Sequence, residues 1–309
     1  MKTYVEMHGG TVEAASRPGQ GAVFRIVLPS ASALPLQQEA LPDSGGRRHS
    51  VLVVEDNEEL RAFLVQKLST GYEVRQAADG QAALAVLERH GADIVVSDVM
   101  MPGMDGYALC RAIKGDMRTS HVSVILLTAY SGDERALQGY EAGADCYLSK
   151  PFRVEILSNR IRHFIALQEG RKRRFIDEAE VRAEEIAPTK VDEEFLRKAV
   201  ECVERHLDDT DYSVERLSAD VGMSRMNLYR KLQSLTGQSP SGFVRTIRLK
   251  KAAALLAGHG LTVAEVADRV GFSTPSYFSK CFKEMFGVLP TDYKGGGPQG
   301  GKAGAEDEK

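Results

Sequence analysis

Glu55, Asp56, Asp98, Thr128 and Lys150 each stand at the end of a short apolar run. Val51–Val54 leads into Glu55 and Asp56, Ile94–Val96 into Asp98, Val124–Leu127 into Thr128, and Tyr147-Leu148 precedes Lys150. A carboxylate nucleophile such as Asp98 accepts a phosphoryl group only if charge is neutralised as the phosphate approaches. Glu55 and Asp56 offer hard oxygen ligands suited to Mg²⁺. Lys150 supplies a fixed cation, the Thr128 hydroxyl can donate to a phosphoryl oxygen, and the small Ala129 leaves room for the group. One such residue could be a helix cap, but five at four run ends point to phosphoryl chemistry.

The elements that must position them read as a β/α alternation. Val51–Val54 is a buried strand, followed by a helix from Asn57 to Leu68 with Leu60, Phe63, Leu64 and Leu68 on one face. Glu73–Arg75 is a second strand, followed by a helix through Ala82, Leu84 and Leu87. Ile94–Val96, Val124–Leu127 and Tyr147-Leu148 supply three more strands, and a helix from Arg153 to Leu167 closes the block. Five repeats of this size give an open parallel sheet with helices on both faces, and ligands of such sheets lie at the carboxyl ends of the strands.

Val51–Asn57, Ser97–Gly106, Leu127–Ala129 and Lys150–Phe152 together resemble response-regulator receiver domains over about residues 50–167. The resemblance implies a flavodoxin-like strand order of 2-1-3-4-5 and Asp98 as phosphoacceptor. It gives the metal Glu55, Asp56, Asp98 and the backbone carbonyl of Met100. It makes Lys150 and Thr128 the phosphoryl-stabilising pair, Thr128 and Tyr147 the switch residues, and Lys150–Pro151 a cis bond. It also implies a histidine-kinase phosphodonor and pairing of receivers, through their fourth and fifth helices, upon phosphorylation.

Charge is distributed unevenly along the 309 residues. The net charge is only -3, yet no acidic residue lies between Asp220 and Glu265, where Arg225, Arg230, Lys231, Arg245, Arg248, Lys250 and Lys251 all fall. Ordinary surfaces mix signs, so this stretch reads as an electrostatic footprint for phosphates. It sits in a block without strand pattern that repeats itself. Val214–Ser224 parallels Val263–Ser273, and Leu228, Leu232, Gly237 and Pro240 match Phe278, Phe282, Gly287 and Pro290. Each copy reads helix, glycine turn, helix. With the Leu or Phe pair inward, Arg225, Met226, Tyr229 and Arg230 face outward in the first copy, and Ser276, Tyr277, Ser279 and Lys280 in the second. These are plausible partners for base edges or phosphates of double-stranded DNA.

The block resembles the AraC/XylS family of transcription regulators from about Asp192 to Lys294, most closely at Gly271–Ser273 and Tyr277–Lys283. The resemblance implies a long helix over Ser239–Ala257 joining two helix-turn-helix units, with the first unit dominating sequence reading. Lys280 stands where the family commonly has arginine, and the two are not equivalent readers of guanine.

His8–Val12 and Arg17–Phe24 are similar to the end of a histidine-kinase ATP-binding domain. The expected order is therefore a kinase remnant (1–29), a Pro/Ser/Gly-rich linker (30–50), the receiver (51–167), a charged connector (168–191), the all-α DNA-binding domain (192–294) and a disordered tail (295–309). That order resembles the C-terminal part of hybrid two-component regulators. Apolar content of 43% and charged content of 27% suit folded domains. No apolar run spans a bilayer, there is no signal-peptide pattern, and four scattered cysteines form no CxxC pair. The expectation is a cytoplasmic protein with reduced thiols and no membrane contact. Kinase motifs are absent from the chain, so it is expected to be a phosphorylation-gated DNA-binding regulator and not itself an enzyme. The alternatives are a portion of a hybrid kinase active in a longer protein, or a phosphate sink whose helices bind protein.

Overall fold

A computed structural model describes residues 11–17, 21–27, 48–129, 142–258 and 260–293. Two units are distinguished, Met1–Asp43 and Ser44–Lys309. In the first, β1 (Thr11–Arg17) pairs antiparallel with β2 (Gly21–Val27), Thr11 opposite Val27 and Arg17 opposite Gly21. The remaining residues of the kinase-like segment, the linker to residue 47 and the tail from residue 294 lie outside the described residues. So do residues 130–141, where the fourth receiver helix is expected.

The second unit begins with a parallel sheet of β3 (Ser50–Val54), β4 (Glu73–Ala77), β5 (Ile94–Asp98), β6 (Ser123–Thr128) and β7 (Cys146–Ser149). Its order is β4-β3-β5-β6-β7, all parallel, which is the expected 2-1-3-4-5. Every residue of β3, β5 and β6 is buried, because the sheet is covered on both faces. Helices α1 (Glu58–Leu68), α2 (Gly80–His90) and α3 (Gly106–Gly115) are each opened by a capping side chain. Asn57, Asp79 and Asp105 accept from the N–H groups of Leu60, Ala82 and Ala108. On α1 only Leu64 and Leu68 are fully buried; Phe63, expected on the same face, is 43% exposed. It lies one residue (100°) around the helix from Leu64, beyond a stripe too narrow to hold it.

Helix α4 (Val154–Asp177) does not stop at Leu167 but continues for ten residues. Its first half packs on α1, Gln168 donates to the Asp93 carbonyl (3.1 Å), and near its end Phe175 stacks on Phe243, ring centroids 5.5 Å apart. Then follow α5 (Ala183–Ile186), α6 (Lys190–Arg205), α7 (Val214–Val221), α8 (Arg225–Thr236), α9 (Pro240–Ala257), α10 (Val263–Arg269), α11 (Pro275–Phe286) and a 3₁₀ turn at Pro290–Asp292.

The sequence repeat is a structural one. Helices α7 and α8 turn at Gly222 (φ 76°), and α10 and α11 at Gly271 (φ 69°). A side chain at Gly271 would meet the Leu207 carbonyl and the Arg248 guanidinium, so only glycine fits that turn. Each copy has its own core. Leu217, Leu228 and Leu232 join Phe175, Ile186, Phe195 and Phe243, whereas Val266, Phe278, Phe282 and Phe286 join Leu249 and Phe272. Burying each of these large side chains contributes about 1.5–3 kcal/mol.

Candidate phosphorylation site and nucleic-acid interface

The carboxyl ends of β3, β5, β6 and β7 bring the chemistry together. Donor oxygens of Glu55, Asp56 and Asp98 lie within 4.8 Å of one another, with Glu55 and Asp98 buried and Asp56 open to solvent. Lys150 reaches both buried carboxylates, 2.8 Å to Glu55 Oε2 and 2.9 Å to Asp98 Oδ2. Its backbone N–H donates to the Thr128 carbonyl (2.6 Å), which ties β7's end to β6, and the Lys150–Pro151 bond is cis as expected. Thr128 is buried at the end of β6. Tyr147 on β7 is half-buried against the receiver core. The Met100 side chain is 55% exposed, and its N–H lies 3.4 Å from Asp98 Oδ1, a long contact.

Burial raises the Glu55 carboxyl, and the neighbouring Asp98 charge adds to this, more than Lys150 offsets. Burial disfavours the Lys150 cation, yet its hydrogen bonds to Glu55 and Asp98 hold its pKa above the ordinary lysine value. Three carboxylates and one ammonium leave the site with excess negative charge. These are hard oxygen donors around an open face, which fits a small divalent cation. Arg61 was not singled out from the sequence: its Nη1 donates to the Glu55 carbonyl (2.7 Å) and bonds the Asp56 carbonyl less closely (3.3 Å), bracing the loop that carries both ligands. Its only sequence signal is a place one turn into α1.

The second helices of the two copies present different surfaces. On α11, Ser276, Tyr277 and Lys280 are exposed, whereas Ser279 is half-buried and its hydroxyl donates to the Pro275 carbonyl (2.8 Å). On α8, Arg225, Met226 and Tyr229 are exposed, and Arg225 pairs with Glu215. Arg230 is half-buried against the receiver. Its Nη1 donates to the Glu88 carbonyl at 2.8 Å and its Nη2 to the Arg89 carbonyl at 2.5 Å.

The reading of the acid-free stretch as one phosphate footprint is corrected by burial. Lys231, Arg248 and Lys250 are 0%, 8% and 6% exposed. Lys231 pairs with Asp192 of α6 and donates to Ser120 of the receiver at 2.7 Å. Arg248 donates to the carbonyls of Gly271 (2.9 Å) and Asp209 (2.5 Å). Lys250 caps the end of α4 through the Ile176 and Glu178 carbonyls, and burial pushes its pKa down to about 8. Lys251 pairs with Glu204 at 2.8 Å. Long basic side chains thus serve the packing, with partners supplied by other elements.

Residues 51–162 match the family described as Response regulator receiver domain, and residues 217–296 match the Helix-turn-helix domain family. Histidine kinase P4 of Formosa agariphila is 33% identical over 95% of this chain, which spans only 24% of that protein. The transcriptional regulatory protein AfsQ1 of Streptomyces coelicolor is 40% identical over 37% of this chain and 49% of its own length. A receiver-domain crystal structure from a Syntrophus aciditrophicus signal transduction histidine kinase is 34% identical over 38% of this chain and 90% of that one, with a TM-score of 0.37. Among the described residues no helix is long and apolar enough to cross a membrane. The chain therefore carries a segment that matches response-regulator receiver domains, followed by one that matches a helix-turn-helix domain.

Proposed function

We propose that this chain is a phosphorylation-gated DNA-binding regulator whose phosphoacceptor is Asp98. The observation that carries the reading is the convergence of Glu55, Asp56, Asp98 and Lys150 at one sheet edge on a chain that also carries the repeated helix-turn-helix. An Asp98 carboxylate oxygen forms the new bond to phosphorus as the bond from phosphorus to the donor breaks. With a phosphohistidine donor, the imidazole nitrogen leaves and takes up a proton. Lys150 balances charge on Asp98 and the incoming oxygens, and the Thr128 hydroxyl donates to one of them. Mg²⁺ held by Glu55, Asp56, Asp98 and the Met100 carbonyl would add the divalent charge that the site lacks. Movement of Thr128 and Tyr147 reports the phosphate to the rest of the receiver, and pairing of two receivers then favours two repeated DNA sites over one. DNA as partner places the chain in the cytoplasm.

The test is labelling by a small phosphodonor such as acetyl phosphate in the presence of Mg²⁺. Acid-labile phosphate should form on the chain and be abolished in Asp98→Asn, since the amide is a poor nucleophile; undiminished phosphate on that variant refutes the assignment. The likeness to Histidine kinase P4 supports a second reading, in which donor histidine and Asp98 share one longer polypeptide. On either reading this chain incubated with labelled ATP alone stays unlabelled.

A further inference from the structure

Arg230 lies on the helix face that the DNA reading needs, yet its guanidinium is occupied by the receiver. Both of its contacts are backbone carbonyls in the last turn of α2. Carbonyls there lack helical partners and carry the negative end of the helix dipole, so they make a site for a cation. One residue further along α8, the buried Lys231 donates to Ser120 Oγ at 2.7 Å, and the Ser120 hydroxyl donates to Asp192 Oδ1 at 2.7 Å. Adjacent residues of one helix thus bind the receiver on two elements.

We propose that the end of α2 and the segment around Ser120 form a docking surface for the first recognition helix, and that this surface and DNA compete for Arg230. The proposal rests on the DNA-binding reading above. A guanidinium aimed at the Glu88 and Arg89 carbonyls is unavailable to a base edge. Glu88 and Asp116, both paired with Arg118, line the receiver side of the contact and keep a DNA backbone from lying along α8 while the surface is docked. The contact is built to part. A cavity of about 340 Å³, lined by Leu84, Ala92, His121, Asn227 and Arg230 among others, separates the two sides. Beyond Met117, which packs on the first helix-turn-helix core, polar groups hold it. Among the described residues the receiver does not cover the second copy in this way: Ser276, Tyr277 and Lys280 remain exposed. In the docked state DNA meets the second unit first.

The experiment uses the full chain with a DNA selected by binding from a random pool. Ser120→Cys places a nearly isosteric thiol in the sealed contact, and its reaction with a thiol reagent is followed against the unsubstituted chain. Bound DNA should speed labelling of that thiol at least threefold. Ala92→Arg sets a bulky cation into the cavity beside Arg230 and should tighten DNA binding at least threefold, by the reciprocity of linked equilibria. Its circular dichroism and melting show whether it is folded; the thiol measurement stands without it. DNA binding with an unchanged labelling rate overturns the docking surface and leaves the DNA reading intact. Failure of every form of the chain to bind any DNA overturns both.

Discussion

Lys150 and Lys231 both sit against carboxylates, but the two centres are built to opposite ends. At Lys150 one cation faces Glu55 and Asp98, with Asp56 close by and open to solvent. Charge is unbalanced there, with three carboxylates about one ammonium. At Lys231 one cation meets one carboxylate, both fully buried. Asp192 also accepts from Ser120 (2.7 Å) and Thr189 (2.6 Å), so its acceptor capacity is used. Burial alone would raise the Asp192 carboxyl, and Lys231, with those hydroxyls, holds it below the usual range. The same residue types give a reactive centre where charges are left over and a structural one where they are matched and sealed.

Removing each lysine separates the two most sharply. Lys231→Ala strands a buried carboxylate and should cost about 3–5 kcal/mol in urea unfolding. Lys150→Ala should cost less, because Lys150 is part-exposed and the Glu55 carboxyl, already raised by burial, can take up a proton where the Asp192 carboxyl is held low. Equal losses would break the comparison.

Acid should attack the sealed side next. His121 is buried in the wall of the docking cavity, where burial first and Lys231 second push its pKa down to about 3. Its folded pKa lies below its unfolded value of about 6.5, so its contribution is complete above that pH and is lost as pH falls towards about 3. Between pH 6.5 and 5 the loss should be about 2 kcal/mol, read as a falling urea midpoint. His121→Leu should flatten that dependence.

Mg²⁺ probes the unbalanced centre. At ten times its Kd it should stabilise the chain by about 1.4 kcal/mol, seen as a raised Tm. Asp56→Asn with Asp98→Asn should remove the gain. Ser120→Ala should cost about 1 kcal/mol, with the Mg²⁺ response unchanged. Loss of that response would mean that the two centres are not independent.

The convergence of Glu55, Asp56, Asp98 and Lys150 was legible in the sequence because each member ends its own apolar run, so local pattern fixes its place on the sheet. The helix-turn-helix repeat was legible for a related reason: Leu228 and Leu232 match Phe278 and Phe282 in register, and all four are fully buried. Lys231, Arg248 and Lys250 were misread as surface because what buries them is remote along the chain. Lys231 meets a carboxylate 39 residues away, and Lys250 a carbonyl 74 residues away. The run after Leu167 looked like a charged connector since only Gln168 and Phe175 of its helical part are buried. Two inward residues in ten do not make a visible period. The occupation of Arg230 by the receiver has no sequence signal at all, because its acceptors are backbone carbonyls.

Helix α4 has 24 residues, about 36 Å of unbroken rod at 1.5 Å per residue. One end is packed in the receiver and the other lies against Phe243. In the docked arrangement such a rod works as a gear shaft, setting angle as well as distance. One residue inserted after Leu167 would turn everything beyond it by about 100° and advance it about 1.5 Å. Ser120 and the Glu88 carbonyl would then face the wrong side of α8. An insertion of seven would nearly restore the angle but carry α8 about 10 Å away. The length of this helix is therefore under two constraints at once, and receivers exchanged between such proteins should transmit only when the splice preserves helical phase.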